Sequence, residues 1–402
     1  MLYGSFTTAF AGAIQTNYQG QKQTGMGHTG TGLLLDNSCV LFNPGAVSFL
    51  DTARGFSVGG NFIFARTSYL ETFPGNYMAN TEHRTATPFT LYAVYKFDKT
   101  DNWNLSLGIY NPFGNKIQWK DDWKGQFLVR EMNFKMLFIQ PTLSYKLNDK
   151  WGVGIGFIHA TGNFRLRKAI AIQDTAGIYG EEQLKGKAHG TGMNAGIYFK
   201  AGKKLSIGID YRSAVTARIK DGTADFTVAP SLATDFTNTK FSTQVNLPQV
   251  ISLGFGYVVN NKMKLAIDIN YTGWRSYDSL SIDYAENTNT IIDSHSARKY
   301  ENSFTFRIGT QYLLNTKWTL RLGTYYDLSP VKNGYSTPEL PDADKLGITA
   351  GATFNITKKM HVDASLVYIE GMKRTDTNMQ SQFGGTYKTK TVVPGISFEY
   401  MF

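Results

Sequence analysis

A single cysteine, Cys39, excludes a disulfide framework and any metal site built on several thiolates. Charged residues are scarce, at 18% of the 402 positions, against about 25% in an average soluble domain. No stretch reaches the roughly 18 consecutive apolar residues of a membrane helix, and the mean hydropathy is −0.26. A membrane β-barrel survives both tests, because its strands alternate and average to a polar score. The six histidines (28, 83, 159, 189, 295 and 361) are scattered. No two stand at zinc-ligand spacing, and none has an obvious Ser–acid partner. There is no G-x-S-x-G elbow and no phosphate-binding G-x-x-x-x-G-K-[ST]. The chain therefore reads as a non-enzyme without cofactor or metal. Basic residues outnumber acidic ones 41 to 31, for a net charge of +10. They are spread along the chain and form no dense run of the nucleic-acid-binding kind, so they read as a solvated surface facing acidic surroundings.

Glycine (40), phenylalanine (27) and tyrosine (23) are abundant. The first eleven residues end in Ala9-Phe10-Ala11, an A-x-A pattern that reads as the remnant of a secretion signal over 1–11. Residues 12–52 show neither alternation nor a long helical stripe. They are Gly- and Thr-rich, then apolar, and predict a compact irregular segment with short helical turns ahead of any sheet.

From about residue 53 the period becomes two, that of a strand. Short Asn/Asp/Lys turns recur at 98–102, 148–150, 202–204, 260–262, 315–317 and 357–359. After them come related runs: 103–110 (WNLSLGIY), 151–157 (WGVGIGF), 205–211 (LSIGIDY), 265–271 (LAIDINY) and 318–324 (WTLRLGT). One face carries Trp, Leu, Val, Ile and Tyr; the other carries Gly, Ser, Asn, Asp, Arg and Thr. Strands of about 10–16 residues exceed the 5–6 of a soluble sheet and suit a tilted membrane strand. Backbone in hydrocarbon must satisfy its own hydrogen bonds, so the sheet must close. Six short turns alternate with seven long polar connections near 68–83, 111–132, 169–185, 221–242, 281–299, 329–344 and 375–387. The fold class is therefore all-β: a 14-stranded antiparallel transmembrane β-barrel over 53–402, in a bacterial outer membrane. Trp103, Trp151 and Trp318 follow short turns, where an interfacial girdle belongs. The alternating end Ile396, Phe398, Tyr400 and Phe402 is similar to the terminal strand that outer-membrane assembly machinery reads.

Parity assigns the lumen. Tyr92, Val94, Tyr110, Phe134, Met136, Phe138, Tyr325, Val367 and Ile369 point inward. An aqueous pore has no need of such an apolar set, whereas a site for a hydrophobic ligand does. Arg212, Arg307 and Arg321 also point inward. They could bind a carboxylate head group, or pair with Asp210, Asp268, Asp327 and Asp363 to hold the wall. Pro112, Phe113 and Gly114 interrupt the third strand, since proline cannot donate to a ladder. This marks either a gap in the wall or the strand's end at a loop.

The markers Gln23-Thr-Gly-Met-Gly27, Asn43-Pro44, Asn111-Pro-Phe-Gly114, Pro141-Thr-Leu-Ser-Tyr145, Leu247-Pro248 with Ile251-Ser-Leu-Gly254, Tyr271-Thr-Gly-Trp274, and Arg321-Leu-Gly-Thr-Tyr325 with Pro338-Glu-Leu-Pro341-Asp342 fall in one order. In this the chain resembles the FadL-type outer-membrane transporters of long-chain fatty acids and other hydrophobic compounds, a family that includes TodX-like aromatic-hydrocarbon channels. The resemblance runs from about Gly20 to Phe402. It implies a monomeric barrel whose N-terminal plug (hatch) is residues 12–52, with Asn43, Pro44 and Gly45 at the plug turn. The usual Asn-Pro-Ala is here Asn43-Pro44-Gly45-Ala46. It implies passive transport: capture in an extracellular groove, passage to a lumen site, and sideways exit into the membrane at Pro112–Gly114. Mapped onto this chain, the groove is expected at Trp119, Trp123, Phe127, Phe226 and Phe236. Expected partners are fatty acids or similar molecules, outer-membrane lipid and lipopolysaccharide, and the assembly machinery, but no nucleic acid. The alternatives are a general diffusion porin and an outer-membrane lipid hydrolase.

Overall fold

The computed structural model describes residues 13–51, 53–97 and 102–402. The A-x-A pattern and most of the first short turn lie outside them. Counting segments of one strand together, fourteen antiparallel strands form the wall. They are β1 (Arg54–Asn61, continuing as Ile63–Glu71), β2 (Met78–Asn80, Thr85–Ala86 and Phe89–Lys96), β3 (Trp103–Gln118), β4 (Glu131–Lys146), β5 (Trp151–Gln173), β6 (Tyr179–Lys200) and β7 (Leu205–Arg212 and Val215–Thr227). The second half comprises β8 (Thr239–Leu247 and Val250–Val258), β9 (Met263–Thr272 and Ser279–Tyr284), β10 (Ser294–Ala297 and Ser303–Leu313), β11 (Trp318–Asp327), β12 (Lys345–Asn355), β13 (Met360–Gly371 and Arg374–Thr377) and β14 (Gly384–Met401). The barrel closes where β1 pairs with β14, from Gly55↔Met401 to Asn61↔Gly395 and on to Phe64↔Val392. Among the described residues no helix is long and apolar enough to cross a membrane.

The short turns have a common local cause. The side chain of Asn148 accepts hydrogen bonds from the backbone of Lys150 (2.9 Å) and Trp151 (3.0 Å). Asn260 and Asn315 repeat this with Lys262–Met263 and Lys317–Trp318. These are Asx turns, which fix the reversal without a long loop. The tryptophan that follows each of several turns stacks across the ladder: Trp103 on Tyr145 (4.4 Å), Trp151 on Phe199 (4.2 Å) and Trp318 on Phe354 (4.9 Å). Ile155, Ile209, Ile267, Leu322 and Leu366 are exposed on the outer wall above them, as a lipid-facing belt requires.

Several connections are shorter than the sequence suggests. The loop expected at 169–185 is only 174–178, because β5 and β6 continue to Gln173 and from Tyr179. That expected at 111–132 shrinks to 119–130. These extensions read as polar because the strands have left the hydrocarbon there. Their outer faces carry Arg165, Lys185 and Lys187, while Phe164 and Leu184 are buried inside.

Residues 13–51 lie inside the barrel and are almost wholly buried. They form α1 (Gln21–Gly25), α2 (Cys39–Phe42) and a 3₁₀ turn (Pro44–Phe49). Cys39 is a buried free thiol. The inward glycines allow the plug backbone to approach: a Cβ at Gly208, Gly254, Gly309 or Gly323 would collide with the backbone of Thr31, Gly32, Met26 or Gly27.

Candidate functional site

The third strand carries a bulge. Its register with β4 jumps from Tyr110↔Phe138 to Phe113↔Met136. Asn111 and Pro112 therefore oppose the single residue Leu137, the extra-residue geometry of a bulge. The Asn111 side chain spans the defect, accepting from the Phe89 N–H (3.2 Å) and donating to the Met136 carbonyl (2.8 Å). On the other edge, the β2–β3 ladder ends at Thr90↔Tyr110. Beyond it the plug's first described residues pair with β3: Thr16 N–H donates to Pro112 O and Gly114 N–H to Ile14 O, each at 2.9 Å. The Asn111 carbonyl accepts from Thr16 Oγ1 (2.7 Å) and Gln19 Nε2 (2.6 Å). So the third strand runs through the Pro112 position rather than ending there, and the plug satisfies the edge that β2 leaves free. A cavity of about 340 Å³ lies at this seam, lined by Thr16, Ala86, Pro88, Asn115, Phe134 and Ile369 among others.

The inward apolar residues fall into two groups. Tyr92, Val94, Tyr110, Phe134, Met136 and Phe138 belong to one large buried cluster with Ile14, Val40 and Leu41 of the plug. Tyr325, Val367 and Ile369 form a separate cluster with Val393, against which Tyr18 and Ile63 pack. In the first group the aromatic rings form a chain. Tyr92, Tyr110, Phe138, Phe113, Trp274, Tyr300 and Tyr277 follow one another at centroid separations of 5.2–6.4 Å.

At the far end of this chain is a residue that parity did not single out. Arg298 lies between the two segments of β10, 3% exposed, beside Glu339 at 2.7 Å. Its Nε and Nη1 have no hydrogen-bond partner among protein atoms. Burial opposes its charge, but the Glu339 carboxylate more than offsets this, so the guanidinium is held charged above its usual range. Burial pushes the Tyr277 and Tyr300 phenols up. Arg298 lines a small apolar void of about 20 Å³ with Ile14, Met132, Val245 and Tyr277. That void shares Asn115, Phe134 and Leu340 with the seam cavity.

Of the cations singled out by parity, two reach the plug and one the wall. Arg212 donates to the Leu41 carbonyl (2.9 Å) and Arg307 to the His28 carbonyl (3.1 Å). Arg321 donates to Thr353 Oγ1 (2.6 Å) and Gln311 Oε1 (2.8 Å), with Asp363 at 3.9 Å. Of the acids expected to pair with these arginines, only Asp363 lies within 4.0 Å, of Arg321, among the described residues; the Nε atoms of Arg212 and Arg307 are buried without a hydrogen-bond partner among protein atoms. Asp36, Asp363 and Glu399 converge closely enough to suggest a metal. The Lys22 ammonium occupies their centre, bonded to Glu399 and 3.9 Å from each of the other two. At the plug turn, Asn43 donates to the Thr31 (3.0 Å) and Ile197 (2.9 Å) carbonyls and accepts from Gly45 N–H (2.9 Å).

The loop aromatics do not make one open groove. Trp119 and Trp123 are buried and stacked on each other at 4.3 Å, against Tyr69. Their indole N–H groups are spent on the carbonyls of Pro338 (3.1 Å) and Val129 (2.7 Å). A flat indole pair of this kind buries well inside the loop bundle. Phe127 is exposed and meets Tyr179 edge-on at 4.9 Å. Phe226 lies near Phe236 and Tyr284, at 6.1 and 6.2 Å.

This architecture has known counterparts. A Pseudomonas aeruginosa FadL homologue superimposes with a TM-score of 0.84 at 18% identity, covering 97% of this chain and all of the other. The Pseudomonas putida toluene transporter TodX does so at 0.72 and 14%, covering 98% and 99%. A long-chain fatty acid transport protein of Salmonella typhi is 23% identical, over 98% of this chain and 95% of its own length. The model of the outer membrane protein transport protein family (OMPP1/FadL/TodX) matches residues 4–402. The chain belongs to that family of outer-membrane β-barrel transporters.

Proposed function

We propose that this protein is a passive, non-enzymatic outer-membrane route for hydrophobic molecules, foremost long-chain fatty acids, which leave through the seam between β2 and β3. The observation that carries this reading is the juxtaposition at that seam. A stretch of wall that β2 leaves to the plug, a 340 Å³ cavity and an apolar void bearing a buried arginine with two spare donors adjoin one another. The volume is in the range of small-molecule sites, roughly 300–1,000 Å³. A carboxylate is the natural complement of a planar guanidinium with free N–H groups, which favours an acid over a neutral hydrocarbon. The aromatic chain offers apolar surface from Arg298 to the seam. The Ile14–Thr16 segment closes the exit, and its few backbone bonds to β3 are the ones a passing solute must break. The barrel acts as a monomer, assembled through its terminal strand.

Binding of radiolabelled oleate and of a neutral alcohol of equal length to the purified protein tests this reading. Arg298→Leu is expected to weaken oleate by about tenfold, on the order of 1.4 kcal/mol, and to leave the alcohol unchanged. Equal loss for both, or for neither, would remove Arg298 from the site. Phe134→Glu is expected to reduce uptake of both while the barrel still folds.

A further inference from the structure

The outer wall carries a cationic recess that lumen transport does not use. It spans β4 to β7 and measures about 1280 Å³. Arg165, Lys185, Lys187, Arg218 and Lys220 line it, with His159 and His189, against one carboxylate, Asp221. Asn133, Asn163, Thr191 and Thr216 add neutral hydrogen-bonding groups.

The ladder explains the clustering. Lys135, Asn163 and Lys187 are cross-strand neighbours in one row, and Asn133, Arg165 and Lys185 in the next. Thr161, His189 and Arg218 form a third row. Between Arg218↔His189 and Thr223↔Lys185 the β6–β7 register shifts, so the wall is irregular beside the recess. Some of the charge is answered: Arg165 has Glu131 at 3.7 Å, and Lys185 has Asp225 at 3.3 Å. Among the described residues, no carboxylate lies within 4.0 Å of Lys187, Arg218 or Lys220. By contrast, Lys388 and Lys390 on β14 converge on Glu370 (2.5 and 3.5 Å).

Height identifies the occupant. The last large apolar pair facing outward on these strands is Phe157↔Met193, both exposed. A strand tilted by about 40° rises roughly 2.5 Å per residue along the barrel axis. Arg165 thus stands about 35 Å above Trp151, just past an apolar band about 25 Å tall. It lies toward the long-loop end, the outer face of the membrane. Cations at that height, directly above exposed Ile155, Phe157, Met193 and Ile197, meet phosphates whose acyl chains lie along the wall below.

We propose that the β4–β7 recess docks the phosphorylated glycolipid of the outer leaflet, lipopolysaccharide, by its lipid A phosphates. The site depends only on the outer-membrane location and is independent of what the lumen carries. Lys187, Arg218 and Lys220 are the anchors, because their charge has no carboxylate partner among the described residues. Arg165 and Lys185 flank them.

The test is lipopolysaccharide retained by the protein purified from outer membranes, quantified by native mass spectrometry. It is paired with rebinding of lipopolysaccharide, dephosphorylated lipid A, or phosphatidylglycerol vesicles to the delipidated protein. The variant is Lys187→Gln/Arg218→Gln/Lys220→Gln. The control is Lys150→Gln/Lys203→Gln/Lys262→Gln at the short-turn end. Heat-modifiable gel mobility verifies that both barrels are folded. All three substitutions of the variant are on exposed outer positions, so folding and oleate uptake are expected to persist. The expected result is at least a tenfold loss of lipopolysaccharide for the recess variant, none for the control, and weak binding of the dephosphorylated lipid. Retention by the recess variant, equal loss in the control, or undiminished binding of dephosphorylated lipid A would each overturn the proposal. Vesicles binding as tightly as lipopolysaccharide, and depending on the same residues, would overturn it in favour of a general anionic-lipid surface.

Discussion

Toward the short turns, the lumen wall meets the plug through glycines, backbone carbonyls and ion pairs. Toward the long loops, beyond the β3 bulge, it meets a void through aromatic rings and a guanidinium with unused donors. The first region is tight because its inward positions have no side chain or a polar one bonded to the plug, as in Ser144 to Pro44 and Ser206 to Gly32. The second is loose because large rings leave gaps and the ladder is interrupted at Thr90↔Tyr110. One chain thus builds a seal and a passage from the same alternating strands. The difference lies in which residues occupy the inward parity.

Breaking the seal is expected to have the largest effect. Lys22→Ala would leave the Asp36, Asp363 and Glu399 carboxylates buried without their cation, a loss of about 3–5 kcal/mol. Faster hydrogen exchange over residues 21–25 and higher ion conductance in planar bilayers are the expected readouts. An unchanged conductance would show that the plug does not depend on this cluster. Next in size, Gly323→Leu would force a side chain into the plug backbone at Gly27, costing about 1–3 kcal/mol. The expected sign is the same as for Lys22→Ala, with the barrel itself still heat-modifiable. On the passage side, Pro112→Thr with Gly114→Val should straighten β3. Oleate uptake is then expected to fall about tenfold, equivalent to roughly 1.4 kcal/mol of barrier, while binding to the purified protein persists. Normal uptake would remove the seam from the route. The smallest effect belongs to the turns. Asn148→Ala loses two side-chain-to-backbone bonds at an exposed site and is expected to cost at most about 1 kcal/mol, seen as a slightly lower thermal midpoint without change in uptake.

The barrel was legible because period-two alternation is a local signal. It correctly turned Phe134, Met136 and Phe138 inward, and it placed the girdle tryptophans and the Asn/Lys turns. It could not separate a seal from a site. Arg307 and Arg321 have the same parity and chemistry as a ligand-binding arginine, and alternation does not reveal that Arg307 meets the His28 carbonyl of the plug while Arg321 meets Thr353 and Gln311 of the wall. Arg298 follows a strand segment, where parity does not apply, so alternation gives no sign of its inward position. Trp119 and Trp123 were legible as unusual loop residues, but their burial depends on Tyr69 and Pro338, which lie far away in sequence. The ends of β5 and β6 were hidden because the apolar face switches from outside to inside where strands leave the membrane.

The Lys22–Glu399 contact joins residues 377 positions apart, and it carries a lesson about the order of assembly. The plug precedes the barrel in the chain, yet the carboxylate that bonds its ammonium, Glu399, arrives only with the final strand, which closes on β1. Its backbone also rests on glycines of β7, β8, β10 and β11, so no partial sheet offers it a complete seat. What is synthesised first is therefore seated last. Until closure the segment lacks that seat, and the finished cylinder serves as its folding template.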